Sequence, residues 1–95
     1  MHHVESESLD RLFFVISQLE NPEECRKFFE DICTVKELLD FAQRLDVAIL
    51  LNRGVNYQTI SQQVGVSTAT ISRVSRCLNY GSGGYRTALD KLEEA

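Results

Sequence analysis

Apolar residues recur along this chain at spacings of three and four from Leu9 to Leu92, and no stretch alternates apolar with polar over the length of a strand. The pattern predicts helices only. Leu9, Leu12, Phe13, Ile16 and Leu19 form a first stripe, which Ser8 can cap. Phe14 and Val15 add apolar surface beyond it, as expected of a helix with two partners. Asn21-Pro22-Glu23-Glu24 is a second helix start, only a residue or two further on. Asn21 caps, Pro22 fits the first helical position, and the two acids face the positive end of the dipole. Cys25, Phe28, Phe29 and Ile32 form its stripe. Thr34-Val35-Lys36-Glu37 matches a capping box and opens the longest helix, to about Asn52, with Gly54 as its stop. From Leu45 onward that helix is apolar on nearly every side, which predicts a central, buried position.

The stretch 57–78, YQTISQQVGVSTATISRVSRCL, predicts two short helices around a tight turn. Asn56 can cap the first, and Val55 with Ile60 fits a hydrophobic staple. Ile60 and Val64 share a face, Gly65 permits the turn, and Ser67 can cap the second helix. Ile71, Val74 and Leu78 form the apolar face of that second helix. Its opposite face carries Thr68, Ala69, Ser72, Arg73 and Arg76, with no acid among them. Small residues let a helix approach base edges, hydroxyls donate to phosphates, and Arg binds phosphate or guanine with two hydrogen bonds. An ordinary helical hairpin with a solvated polar face is the competing reading. After Leu78, Asn79-Tyr80-Gly81-Ser82-Gly83-Gly84 reads as a flexible loop. No strand precedes it and no Lys follows at P-loop spacing, so it does not read as a phosphate cradle. Tyr85, Ala88, Leu89 and Leu92 then form a sixth, short amphipathic helix.

Ninety-five residues, 43% of them hydrophobic, suit one globular domain, 1–95, with residues 1–7 polar and expected to be disordered. No apolar run approaches the ~20 residues of a membrane span and no signal peptide opens the chain, so a cytoplasmic protein with no membrane partner is expected. Cys25, Cys33 and Cys77 are odd in number and lack C-x-x-C spacing, as expected of reduced, partly buried thiols. His2 and His3 stand alone and read as a terminus rather than a metal site. Charge is more informative than its net of −4. Residues 1–46 carry −6, residues 90–95 carry −2, and residues 47–89 carry +4 from Arg53, Arg73, Arg76 and Arg86 with no acid at all. The only long acid-free block therefore contains the two-helix stretch, and phosphate binding needs local positive potential rather than a basic average. Four arginines are few, which argues for two copies acting together.

Six helices, with the fourth and fifth forming a helix-turn-helix and a long third, resemble the Trp repressor superfamily. Leu51-Asn52-Arg53-Gly54 and Ala69-Thr70-Ile71-Ser72-Arg73 carry the resemblance most specifically. The run from Ser72 to Gly81 is similar to the Trp repressor-like branch labelled YerC/YecD. The resemblance implies an all-α, intertwined homodimer. Residues 8–53 would dimerise, 56–79 would read DNA, and 80–95 would be a loop and terminal helix. It also implies a repressor on a near-palindromic site in double-stranded DNA, with two reading helices about 34–36 Å apart. Gln58 and Ser61 would touch phosphates or base edges, Thr68, Ala69 and Ser72 would face bases, and Thr70 a phosphate. Arg73 would serve either phosphate or ligand; Arg76 joins the set on its position alone.

The family's effector pocket maps onto Arg44, Arg73, Val74 and Cys77. The two Arg match the pair that sandwiches the indole of tryptophan, although Arg44 could equally be a surface residue paired with Asp40. Val74 stands where the repressor has Gly, and Cys77 where it has a Ser that holds the ammonium. A β-branched side chain there occupies ring volume and a thiol is a weak polar partner, so tryptophan is not expected to bind; either another effector binds or none does, and no cofactor is expected. A helical protein-interaction module that has lost DNA binding is the alternative function. No nucleophile–base pair, metal cluster or paired carboxylates suggest an enzyme.

Overall fold

The structure, a computed structural model, describes residues 6–95. The described residues form six helices: α1 (Glu7–Ser17), α2 (Pro22–Ile32), α3 (Val35–Asn52), α4 (Tyr57–Val64), α5 (Thr68–Tyr80) and α6 (Gly84–Glu94). The all-α expectation and the helix order hold. Of residues 1–7, expected to be disordered, Ser6 and Glu7 instead cap and open α1, while residues 1–5, with His2 and His3, lie outside the described residues. No helix among the described residues is long and apolar enough to cross a membrane.

Chain contacts divide the molecule into two compact units, with the boundary inside α3 between Leu38 and Leu39. The first unit holds α1, α2 and the start of α3. Ser6, not Ser8, caps α1: its hydroxyl accepts from the Leu9 N–H at 3.0 Å. Both serines suit a cap, but only Ser6 places Glu7 and Asp10 together in the first turn, beside the positive end of the dipole. Four residues rather than one or two join α1 to α2. Gln18 and Leu19 donate back to Val15 and Ile16 at 3.1 and 3.2 Å, winding the helix down, and Asn21 is extended. Asn21 caps α2 as expected, accepting from the Glu24 N–H at 2.9 Å. The capping box of α3 is reciprocal: Glu37 N–H donates to Thr34 Oγ1 at 3.1 Å and Thr34 N–H to Glu37 Oε1 at 2.9 Å. No residue of α1 or α2 is buried.

The second unit holds the core. Val47 and Ala48 of α3, Ile60 of α4, and Ile71 and Val74 of α5 are buried together. Fully burying an Ile or Val contributes about 1.5–3 kcal/mol. Val55, Val64, Val66 and Tyr85 pack around them. The α3 end is closed by Gly54 at φ +80°, with Gly54 N–H on Leu51 O at 3.0 Å and Val55 N–H on Leu50 O at 3.1 Å. These two bonds form a Schellman motif, satisfying carbonyls the helix leaves open. Val55 lies just outside the α4 cap and Ile60 in the first turn beyond it, so the staple is present.

Two expectations change here. The long helix is not buried along its length: only Val47 and Ala48 of α3 are buried, while Leu39, Phe41 and Leu45 are exposed. The expected loop over 79–84 shrinks to 81–83, because α5 runs on to Tyr80 and α6 begins at Gly84. Asn79 is held in the helix by its own amide, which donates to Ser75 O at 2.9 Å.

Candidate nucleic-acid interface

The interface is built from α4, its turn and α5. Asn56 caps α4 by accepting from Thr59 N–H at 2.9 Å. Gly65 ends it at φ +80°, a conformation an L side chain resists by about 1–2 kcal/mol. Ser67 starts α5, accepting from Thr70 N–H at 3.2 Å, and its hydroxyl lies 3.2 Å from that of Thr70. Ile71, Val74 and Leu78 turn inward and are buried. The helical period therefore turns Thr68, Ala69, Ser72, Arg73 and Arg76 outward, and all five are exposed.

The remaining candidates behave differently. Gln58 is exposed. Thr70 is half-buried, its hydroxyl beside the Ser67 cap. The Ser61 hydroxyl donates to Val66 O at 2.6 Å, so its proton is committed to the turn and only its oxygen remains to accept. Tyr80, expected in the loop after Leu78, is instead the last residue of α5. It is 82% exposed and lies four residues after Arg76 and seven after Arg73, on the same face. That spacing is visible in the sequence, but ending the helix at Leu78 hid it.

Electrostatically the face is open. α5 has no acid in its first turn, and among the described residues Arg73 and Arg76 make no internal ion pair or hydrogen bond. Arg86 is different: its guanidinium donates to Asn52 Oδ1 at 2.7 Å and to Asn79 Oδ1 at 3.3 Å. The acid-free block thus offers Arg53, Arg73 and Arg76 to a ligand, one fewer than composition suggests.

Arg44, Arg73, Val74 and Cys77 line one cavity of about 220 Å³, together with Thr70 and Tyr85. A second hollow of about 220 Å³ shares Arg44, Thr70 and Arg73 and adds Asp40, Gln43 and Val66. The Arg44 guanidinium lies 5.9 Å from the centre of the Phe41 ring, a cation–π contact. Val74 is only 3% exposed and belongs to the core while also lining the cavity. Burial raises the Tyr85 phenol above its ordinary 10.0; nearby Cys77 adds to this and Arg44 opposes it. The phenol therefore stays protonated at neutral pH and can donate. The three cysteines are free and half-buried, and no group of three or more His, Cys, Asp or Glu is placed to hold a metal among the described residues.

Comparison with known proteins agrees with this architecture. The family described as Trp repressor protein matches residues 7–93. The chain is 52% identical over 86 residues to the uncharacterised protein YerC of Bacillus subtilis strain 168, covering 90% of this chain and 83% of that one. The crystal structure of a proposed Trp repressor from Staphylococcus aureus is 48% identical, with a TM-score of 0.87 over 94% of this chain and 89% of that one. A TrpR-like protein from Eubacterium eligens ATCC 27750 is 42% identical, with a TM-score of 0.88 over 94% and 92% of the two chains. Sequence and helix arrangement agree over nearly the whole chain, and the protein belongs to the Trp repressor family.

Proposed function

We propose that this protein is a DNA-binding transcriptional regulator that acts as a homodimer, with α5 as its reading helix. The observation that carries the proposal is the outward face of α5. Two unpaired arginines, hydroxyls and a small residue stand together there on a helix anchored by three buried side chains. The matched family supports the same reading. Titrating a random-sequence duplex at rising salt tests it. A protein that neutralises phosphates releases counterions, whereas a module that binds only protein has none to release.

The homodimer rests on a different observation. The unit spanning 6–38 buries no side chain, although it carries Phe13 and Phe14 at 60% and 64% exposure. Fewer than about 40 residues with no core cannot offset chain entropy alone. A second copy, presenting the same surface, supplies the cover, and two reading helices then address a near-palindromic site.

Tryptophan is not the effector in this proposal. Val74 is buried in the core, and its β-branched side chain stands where a ring would need space. Its side chain forms part of the wall of the cavity that Arg44, Arg73 and Cys77 line. Calorimetric titration with tryptophan is expected to give no binding heat, and a micromolar signal would contradict the blocked pocket.

A further inference from the structure

We propose that Arg86 is a positioning residue for DNA recognition: its guanidinium ties Asn52 at the end of α3 to Asn79 near the end of α5, fixing the tilt of the reading helix. This rests on the reading of α5 given above.

The two ends of α5 are held differently. At the first end, the Ser61 hydroxyl holds the turn and Ser67 caps the helix. In the middle, Ile71 and Val74 are set in the core. Beyond Leu78 α5 has no buried side chain, and the helix continues through exposed Asn79 and Tyr80. Asn79 is the point of attachment there. Its amide nitrogen donates to Ser75 O at 2.9 Å, which leaves its oxygen facing outward to accept from Arg86 at 3.3 Å. The other arm of the fork reaches Asn52 Oδ1 at 2.7 Å. Asn52 is a firm anchor, because the α3 end is locked by the Schellman bonds of Gly54 and Val55. Arg86 is set by its neighbour Tyr85, which packs against the core.

Only Arg suits this geometry. A guanidinium presents several donors in a rigid plane and can serve two amide oxygens at once. Lys has the same charge but a single compact ammonium on a flexible stem, so it keeps the electrostatics and loses the bridge. That difference separates positioning from simple attraction to phosphate. These bonds are solvent-exposed, so each is modest in strength, and the effect on binding is correspondingly moderate.

The test compares the unaltered protein with Arg86→Lys, Asn52→Ala and the double variant, measuring duplex affinity, its salt slope and thermal stability. Arg86→Lys and Asn52→Ala are each expected to weaken binding roughly three- to tenfold, with the salt slope unchanged. The double variant should bind no worse than the weaker single, because both remove one bridge. Arg86→Lys binding like the unaltered protein overturns the proposal, since charge alone would then suffice. Arg86→Gln, which removes the charge, joins the salt series: a shallower slope for it than for Arg86→Lys overturns the proposal in favour of a phosphate contact. Lowered thermal stability with unchanged affinity overturns it in favour of a purely structural bond. If the unaltered protein does not bind duplex at all, the reading of α5 fails first and this proposal with it.

Discussion

Arg73→Ala is expected to weaken binding to duplex DNA by about 10- to 100-fold while leaving the fold intact. The range corresponds to about 1–3 kcal/mol, the usual worth of a well-placed Arg contact to a base or phosphate. Arg73 can be removed cleanly because its side chain is exposed and makes no hydrogen bond or ion pair among the described residues. Thermal unfolding should therefore stay within a degree or two of the unaltered protein, as for most exposed positions. A dimer presents Arg73 twice, so a phosphate role would also flatten the salt dependence by about two phosphates per dimer. A base-edge role would leave the slope alone and reduce discrimination between sequences. Unchanged affinity would count against α5 as the reading helix.

Phe14→Glu should have the larger effect on assembly. Phe14 lies outside the first apolar stripe and is 64% exposed. If a second copy covers it, each dimer loses two buried rings, about 1.5–3 kcal/mol apiece. Two carboxylates would also be forced into an apolar contact, which is costlier still. The dimer should weaken by more than about 100-fold in sedimentation equilibrium. Interlocked subunits often have no stable folded monomer, so unfolding should move to lower temperature together with dissociation. The unaltered protein should melt at a temperature that rises with its concentration. A unaltered chain that stays a folded monomer at every concentration would contradict the interlocked dimer.

What could be read from the sequence follows the range of the interactions. Helix starts are local events, decided within three residues. Asn21, Thr34 with Glu37, Asn56 and Ser67 all cap where expected. Gly54 and Gly65 end helices for the same local reason, a left-handed residue that most side chains resist. The cap of α1 is the exception: Ser8 precedes the apolar stripe directly, but Ser6 caps the helix earlier, in the acidic segment. The core face of α5 was legible because Ile71, Val74 and Leu78 follow the helical period.

The illegible features depend on distant partners. Asn79 and Tyr80 precede a run of Gly and Ser, and local propensity ends the helix before them. The structure carries α5 through both, and Arg86, seven residues beyond Asn79, bonds its side chain. The same contact takes Arg86 out of the free positive charge, which no charge count reveals. The exposure of Leu39, Phe41 and Leu45 was equally hidden. Apolar periodicity says that a face needs cover but not whether its own chain provides it. Tyr80 and the half-committed hydroxyl of Ser61 follow from geometry alone.

Binding of duplex DNA through a small, locally positive face, despite a net charge of −4, underlies the expectations above. Equilibrium binding of the unaltered protein to random-sequence duplex across a salt series tests it most directly. The account predicts measurable binding at ~50 mM salt and a log K that falls linearly with log salt, by about 0.9 for each phosphate neutralised. No measurable binding at ~50 mM salt, or an affinity indifferent to salt, would contradict it.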